Sequence, residues 1–303
     1  MHNIMNESDN MTIGNILNFA EGKLRKAGID SAKQEAEIIL GFFSDLNRSE
    51  LYINRTNNLS ESVFNKIKCA IKKRCDYIPL QYITGETFFY GLKLIIHEGV
   101  FVPRPETEIL VEKITKIAEK YFSNKLKILE LCTGSGNISV SLTKNIQYCT
   151  IISSDINTKA LELARYNAQI NNVNERIDFF QSNLLDFLHN DQKYEIESNR
   201  FDVIVANPPY VSSDQMKNLP DDVLNEPKEA LDGGSDGLDF YRKIVEQSRR
   251  YLKKQGYIAF EFGDDQAKSI EGIIKQSNLF DQIEFFSDLN GIYRFVIARC
   301  ING

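Results

Sequence analysis

From residue 125 onward, short apolar segments alternate with helical segments, and this alternation constrains the fold more than any other feature. The apolar segments are rich in β-branched or aromatic residues and lie at Leu126–Leu131, Thr150–Ser154, Arg176–Phe180, Phe201–Ala206 and Tyr257–Phe262. Helical periodicity occupies residues 137–145, 158–170 and 238–253. Such an alternation is typical of a doubly wound, mostly parallel sheet. A terminal hairpin, 282–286 with 293–298 around Asn290-Gly291, is predicted to close it.

The first 80 residues carry a different pattern, because only helical spacing is found there. Apolar residues recur every three to four positions in 13–24 and 36–43, and Ser60 is placed to cap a further helix through Ile71. Two short strands follow around Gly91-Leu92, and then a helix from Ile109 to about Phe122. We therefore expect three parts, listed by residue number: a helical domain at 1–82, a β-hairpin linker at 83–108 and an α/β domain at 109–303.

Composition excludes several classes of protein. No apolar run approaches the roughly 18–20 residues of a membrane span, and the polar segment Met1–Asn10 has no signal-peptide core. Met11 is an alternative start. The 5 cysteines are scattered and only 3 histidines are present, so neither a disulfide framework nor a metal site is expected. We expect a reduced, cytoplasmic setting, no membrane association and a monomer.

The charge is distributed unevenly along the chain. Residues 81–303 carry 25 basic and 32 acidic residues, which argues against a protein that grips a nucleic-acid backbone. One basic cluster lies on the helix near residue 70 and comprises Lys66, Lys68, Lys72, Lys73 and Arg74. It is either a solvated helix face or a contact for an acidic or RNA partner.

A glycine loop, Cys132-Thr133-Gly134-Ser135-Gly136, joins the first predicted strand of the α/β region to a helix. Glycines at such a junction allow a tight turn and the close approach of a ligand. A dinucleotide fingerprint would require a third glycine at position 139, which is Ser139, and no Walker lysine is present. The loop therefore predicts a nucleotide-type ligand without a phosphate grip.

Polar residues follow the next two strands at the same predicted edge of the sheet. Asp155 ends the second strand, where a carboxylate can accept hydrogen bonds from both ribose hydroxyls of a nucleoside. Asn183 and Leu184 follow the third strand, where they could contact the amino group and the face of an adenine. These placements predict a nucleoside site.

The fourth strand runs into Asn207-Pro208-Pro209-Tyr210. Each proline fixes its own φ and biases the preceding residue toward extended geometry. The prolines have no N–H to donate, so this segment mainly presents acceptors. These are the Asn207 and Pro208 carbonyls and the Asn207 side-chain oxygen, beside the aromatic ring of Tyr210. This arrangement suits a planar –NH₂ group. A nucleoside site beside an amino-group receptor suggests S-adenosyl-L-methionine as methyl donor.

Together these motifs resemble the class I amino-methyltransferases, and the flanking segments resemble the HemK/PrmC family. Those segments are Pro79–Gly85, Phe88–Gly91, Val102–Glu108 and Glu226–Arg242. The resemblance covers about residues 12–299. It implies a Rossmann-like class I methyltransferase fold with a seven-stranded, mostly parallel sheet and an N-terminal helical-bundle domain for substrate recognition.

The resemblance also implies an activity, which is transfer of a methyl group to the side-chain amide nitrogen (N5) of a glutamine in the GGQ loop of class 1 peptide chain release factors. S-Adenosyl-L-homocysteine would be the product, with no metal and no DNA partner. The cofactor-binding residues would be Cys132, Thr133, Gly134, Ser135, Gly136, Asp155, Asn183, Leu184 and Asn207. Asn207, Pro208 and Tyr210 would be catalytic, and Pro209 would join them in binding the substrate.

Two positions depart from the family pattern. Cys132 stands where the family usually has glycine, and it suits the turn if its φ is negative. Leu184 stands where the family often has an aromatic residue, and we expect it to pack on adenine without stacking. Arg104, Glu106 and Thr107 are further candidates for lining the cofactor, or else helix-capping residues.

Three alternatives remain open. An adenine-N6 nucleic-acid methyltransferase also acts on a planar amino group, but it must flip a base and grip phosphates. A glutamine methyltransferase of a ribosomal protein would differ only in its substrate contacts. A non-catalytic nucleoside-binding or RNA-binding module would use residues 61–75.

Overall fold

The computed structural model describes residues 11–190 and 200–301, and the chain divides into two compact units. The first unit comprises the described residues up to Gly85 together with Asp221–Asn225, and the second comprises the remaining described residues. The predicted three-part division at 1–82, 83–108 and 109–303 remains a proposal.

The first unit is helical. Its helices are α1 (Ile13–Lys26), α2 (Ala32–Ser44), α3 (Arg48–Ile53), α4 (Glu61–Cys75), α5 (Leu80–Thr84) and, from the distant segment, α10 (Asp221–Leu224). The Ser60 side chain accepts a hydrogen bond from the Val63 N–H, so the predicted cap of α4 is confirmed. Apolar residues at helical spacing, such as Ile16, Ala20 and Ile39, form the core of this unit.

A buried ion pair connects three segments of the helical unit. Arg74 on α4 donates through Nε to Glu35 Oε2 at 2.6 Å and through Nη2 to Asp222 Oδ2 at 3.4 Å. Both Arg74 and Glu35 are buried. One member of the predicted basic cluster is therefore internal, whereas Lys66, Lys68, Lys72 and Lys73 are exposed.

The second unit contains the α/β fold. Its strands are β1 (Glu86–Phe89), β2 (Leu92–Ile95), β3 (Leu126–Leu131), β4 (Cys149–Asp155), β5 (Ile177–Gln181), β6 (Phe201–Ala206), β7 (Leu252–Glu261), β8 (Phe280–Ser287) and β9 (Tyr293–Cys300). Its helices are α6 (Thr107–Tyr121), α7 (Asn137–Asn145), α8 (Thr158–Ile170), α9 (Asp186–Asn190), α11 (Asp239–Tyr251) and α12 (Ala267–Gln276). Single 3₁₀ turns occur at Asn174–Arg176, Gln215–Asn218 and Lys228–Ala230.

Strands β1 and β2 pair antiparallel by themselves, and the other seven form one sheet in the order β5-β4-β3-β6-β7-β9-β8. The neighbours from β5 to β7 run parallel, and β9 runs antiparallel to both β7 and β8. The predicted seven-stranded, mostly parallel sheet and its terminal hairpin are thus confirmed.

Helices cover both faces of this sheet. Leu129 and Leu131 of β3 pack into the core that contains α11 and α12, whereas Ile128 packs into the core that contains α6 and α7. All six residues of β6 are buried, as expected for a central strand covered on both faces.

The register places the carboxyl ends of four strands at one level. Leu131 pairs with Ser154 on one side and with Ala206 on the other. Ala206 in turn pairs with Phe260. The residues that follow these positions therefore emerge side by side at one edge of the sheet, where open α/β sheets bind ligands.

Two elements begin earlier than predicted. Strand β7 starts at Leu252 because this residue pairs with Phe201 ahead of an irregularity in the ladder. Helix α6 starts at Thr107, two residues before the predicted Ile109. Within the described ranges 11–190 and 200–301, no helix has both the length and the apolar character that a membrane crossing requires.

We expect Arg74→Met to lower the free energy of unfolding by about 3 kcal/mol, because it leaves the Glu35 carboxylate buried without its charge partner. Lys73→Met on the exposed side of α4 is the matched control and should change it by less than about 0.5 kcal/mol. Urea denaturation followed by circular dichroism measures both. Equal effects of the two variants would contradict a stabilising role of the buried pair.

Candidate functional site

The glycine loop leaves β3 with three residues in the left-handed region of φ. Cys132 has a φ of +58°, Gly134 of +55° and Gly136 of +81°. A Cβ at position 136 would lie 3.0 Å from the Ala164 Cβ of α8, so glycine is required there by both conformation and space. At position 134 a Cβ would meet nothing within 4 Å, so the Gly134 backbone faces open space.

Cys132 corrects one expectation. The condition that Cys132 suits the turn with a negative φ is not met, because its φ is +58°, where a Cβ crowds the following carbonyl oxygen. The strand pairing explains why the turn is kept: the following residue, Thr133, donates its N–H to the Ser154 carbonyl at 3.0 Å. Cys132 therefore carries the backbone strain that glycine would avoid.

Asp155 holds the glycine loop to the end of β4. Its Oδ2 accepts the Gly134 N–H at 2.8 Å, and its Oδ1 accepts the Asn157 N–H at 2.9 Å. Asn157 itself caps α8, so Asp155 is not needed as the cap. A carboxylate has about four acceptor positions, and those beyond the two backbone bonds remain for other donors. Burial raises the pKa of Asp155.

Asn183 and Leu184 follow β5, as predicted. Leu184 has a φ of +53°, and its side chain is only 4% exposed because it packs into the core beside Leu129 and Ile152. The Leu184 carbonyl accepts a hydrogen bond from Ser154 Oγ at 3.2 Å. The adenine contacts of both residues remain a prediction.

The Asn207-Pro208-Pro209-Tyr210 segment presents acceptors at the end of β6. Asn207 Nδ2 donates to Thr107 Oγ1 at 3.4 Å, which directs the side-chain oxygen away from that contact. Among residues 11–190 and 200–301, no group donates a hydrogen bond to Asn207 Oδ1 or to the Asn207 or Pro208 carbonyl. These three acceptors therefore have no donor within the described residues, and their use by a substrate amino group remains a prediction.

The segment after this motif is closely packed against it. The Val211 N–H donates to the Leu231 carbonyl at 2.9 Å, and Gln266 Nε2 donates to the Tyr210 carbonyl at 3.0 Å. A Cβ at Gly233 would lie 2.8 Å from the Pro209 carbonyl oxygen, and one at Gly237 would lie 2.3 Å from the Tyr210 carbonyl oxygen. Part of the flanking segment 226–242 thus fixes the backbone of the acceptor turn.

The three further candidates near the start of α6 have different environments. Arg104 pairs with the buried Glu226, which also accepts the Val102 N–H at 3.0 Å. Glu106 is exposed, and its side chain does not cap α6. Thr107 is fully buried, and it is the one that the structure brings to Asn207.

Sequence reasoning assigned no role to two buried carboxyl groups. Glu261 ends β7 next to Asn207, is 3% exposed and accepts a hydrogen bond from Thr107 Oγ1 at 2.6 Å. Glu130 lies in β3 and accepts from Thr133 Oγ1 at 2.5 Å and from Ser153 Oγ at 2.8 Å. The available signal was an acidic residue inside an otherwise apolar strand.

Burial dominates the electrostatics of the site. It raises the pKa of Glu130 and that of Glu261 to about 7 in each case, against hydrogen bonds from neighbouring side chains, which lower both pKa values. Burial also raises the pKa of the Tyr210 phenol far above its usual value, with a smaller contribution from Glu261. Tyr210 is therefore neutral at pH 7 and suited to cover a flat group rather than to act as a base.

The arrangement can bind a planar amino group through three acceptors, beside a glycine loop and a carboxylate at the same edge. Residues 207–210 themselves include no Lys or His, so the turn is suited to orienting an –NH₂ group rather than to removing its proton. Within the described residues, no cluster of three or more His, Cys, Asp or Glu side chains has the form of a metal site.

Comparison with known proteins agrees with this geometry. The family model described as PrmC N-terminal domain matches residues 15–85, and the one described as methyltransferase small domain matches residues 91–238. A release factor glutamine methyltransferase from Thermodesulfovibrio yellowstonii is 38% identical over 267 residues, which cover 88% of this chain and 92% of that protein. One from Clostridium acetobutylicum is 34% identical, over 95% of this chain and 98% of its own.

Among solved structures, SMU.776 in complex with SAH matches 71% of this chain and 56% of its own at a TM-score of 0.50 and 11% identity. At that identity the likeness concerns the fold alone. It agrees with the expectation of a Rossmann-like class I methyltransferase fold.

We expect Cys132→Gly to raise the free energy of unfolding by about 1 kcal/mol, because glycine adopts a positive φ without the steric cost of a Cβ. Cys132→Ala is the matched control: it removes the thiol but keeps the Cβ, so it should bring no such gain. Thermal and urea unfolding of the two variants provide the measurement. A gain in the alanine variant would assign the effect to the thiol instead of the backbone.

Proposed function

The chain belongs to the release factor glutamine methyltransferase family, and on this premise we propose that it methylates the side-chain amide nitrogen (N5) of a glutamine in a class 1 peptide chain release factor. The methyl donor is S-adenosyl-L-methionine, and the glutamine is the one of the GGQ loop. The observation that carries this proposal is the set of three acceptors at Asn207 and Pro208, which receive no hydrogen bond from any group in residues 11–190 and 200–301.

The acceptors address the main chemical difficulty of the reaction. An amide nitrogen is a poor nucleophile because its lone pair is delocalised into the carbonyl. Acceptors at Asn207 Oδ1 and the Pro208 carbonyl would bind the two amide hydrogens and favour a pyramidal nitrogen with a localised lone pair. Fixed dipoles of this kind stabilise the charge that develops at the reacting nitrogen. Tyr210 would cover the flat side of the amide.

The residues of the glycine loop and of the neighbouring strand ends fit the donor. The Gly134 backbone faces open space, and Asp155 has acceptor positions beyond its two backbone hydrogen bonds. Cys132, Thr133, Ser135 and Gly136 would line the same loop, and Asn183 and Leu184 would contact the adenine. When bound, the donor would supply a methyl group on a positively charged sulfur and leave as S-adenosyl-L-homocysteine. The S–CH₃ bond would be replaced by an N–CH₃ bond, and the nitrogen would release one proton to water.

We propose that the enzyme is monomeric and cytoplasmic, requires no metal, and binds neither DNA nor membranes. Residues 81–303 carry 25 basic and 32 acidic residues, which disfavours a grip on nucleic-acid phosphates. The helical unit before Gly85 would recognise the release factor.

A parallel labelling experiment tests the substrate. Purified protein is incubated with methyl-labelled S-adenosylmethionine and, separately, with a class 1 release factor, total ribosomal protein and DNA. We expect label in the release factor alone, on the glutamine of its GGQ loop by mass spectrometry. Label found only in ribosomal protein or only in DNA would replace this proposal with the corresponding alternative.

Asn207→Ala should abolish methyl transfer, since it removes the side-chain acceptor, while the affinity for S-adenosylmethionine stays within several-fold of the original. Single-turnover transfer and isothermal titration calorimetry measure the two quantities. Asn145→Ala, at the exposed end of α7, is the matched control and should leave both unchanged. Full activity of Asn207→Ala would refute the role assigned to the acceptor turn.

A further inference from the structure

Two buried groups, Thr107 and Glu261, form a hydrogen-bonded chain with the half-buried Asn207 behind the acceptor turn. Asn207 Nδ2 donates to Thr107 Oγ1 at 3.4 Å, and Thr107 Oγ1 donates to Glu261 Oε2 at 2.6 Å. Thr107 is fully buried and Glu261 is 3% exposed. Because the pairing of β6 with β7 sets Ala206 beside Phe260, Asn207 and Glu261 follow at the same level.

The donor and acceptor capacities of these three groups fix the direction of the hydrogen bonds between them. An ionised carboxylate only accepts hydrogen bonds, and a threonine hydroxyl has a single hydrogen. When that hydrogen is donated to Glu261, the Thr107 oxygen has only lone pairs to offer Asn207. The Asn207 amide must therefore turn its –NH₂ toward Thr107 and its Oδ1 toward the substrate side.

We propose that Glu261 and Thr107 are positioning residues that set the orientation of the Asn207 amide, and that the site is competent only while Glu261 is ionised. This inference rests on the proposed function, because it concerns the acceptor of the same methyl transfer. Neither residue needs to touch the substrate, since both act through Asn207.

Protonation of Glu261 would remove this fixed direction of hydrogen bonding. A neutral carboxyl group can donate its own proton to Thr107 Oγ1, which releases the threonine hydrogen toward Asn207. The Asn207 amide can then turn over, so that its –NH₂ group faces the –NH₂ group of the substrate glutamine. Two donors that face each other cannot form the required hydrogen bond, and transfer is lost.

The groups around Glu261 place its protonation in an experimentally accessible pH range. Burial is the largest influence and raises the pKa of Glu261 to about 7. The hydrogen bond from Thr107 lowers this pKa, the nearby charge of Glu106 raises it, and hydrogen bonding by the Asn207 side chain and the charge of Arg294 on β9 lower it. Tyr241 on α11 donates its hydroxyl to the Glu261 backbone carbonyl at 2.8 Å. The Tyr210 and Tyr241 phenols both have pKa values raised by burial, so neither titrates in this range.

The kinetic test compares single substitutions in the chain of hydrogen bonds. Thr107→Val removes the hydroxyl at nearly constant volume and should lower kcat by roughly 10- to 100-fold, as expected for a lost orienting contact in a catalytic site, with the KM for S-adenosylmethionine unchanged. Thr107→Ser keeps the hydroxyl and should retain most of the activity. Thr143→Val, a fully buried threonine on α7, is the control for folding and should be unaffected.

The pH profile separates a positioning role from a structural one. The kcat of the unmodified protein should rise with pH through about 7 and then level off. Glu261→Gln should lower the plateau and abolish the rise, since glutamine does not titrate. Glu130, whose pKa is also raised to about 7, is still present in that variant. A rise that persists in Glu261→Gln, or full activity of Thr107→Val, would overturn the inference.

A measurement without substrate keeps the inference testable if the proposed function fails. The side-chain amide of Asn207, identified in ¹⁵N spectra by its loss in Asn207→Asp, should shift with pH near 7 in the unmodified protein and not in Glu261→Gln. Absence of methyl transfer to a release factor in the unmodified protein would refute the proposed function alone. An Asn207 signal that does not respond to pH would refute the positioning chain.

Discussion

The parallel pairing of β6 with β3 and with β7 is the constraint on which the rest of the site depends. It sets Ala206 level with Leu131 and with Phe260, so the glycine loop, Asn207 and Glu261 leave the sheet at one edge. A shift of one residue in this register would turn every side chain of β6 to the opposite face. Because all six residues of β6 are buried, the packing of the core fixes the position of the chemistry.

The site combines several features that cost stability. Cys132 and Leu184 have positive φ values, and Glu130 and Glu261 are carboxyl groups buried among apolar strands. Such features persist where contacts with the surrounding structure stabilise them by more than the features themselves cost. Here Glu130 and Glu261 lie within paired strands and accept hydrogen bonds from hydroxyl groups. Cys132 and Leu184 lie just beyond the carboxyl ends of β3 and β5.

The regular part of the fold follows from the sequence because it depends on local pattern. Strands β3 and β6 and helices α7 and α8 have the predicted bounds, since each ends where apolar periodicity stops. The φ of Cys132 depends instead on a tertiary hydrogen bond between Thr133 and Ser154, which no local pattern encodes. Glu261 was overlooked for a similar reason: its partner Thr107 is 154 residues away in sequence.

The acceptor turn orients a planar amino group, but it does not by itself distinguish a glutamine from an adenine. Both present two hydrogens in one plane, and both would meet the same oxygen atoms of Asn207 and Pro208. Discrimination must therefore come from groups that contact the remainder of the substrate. A nucleobase has to be flipped out of a stack while the protein grips the phosphates of the nucleic-acid backbone, whereas a glutamine needs only a shape that admits its polypeptide backbone. The excess of acidic residues in 81–303 favours a glutamine over an adenine. The hydrogen bonds from Asn207 through Thr107 to Glu261 would orient the Asn207 amide for either substrate.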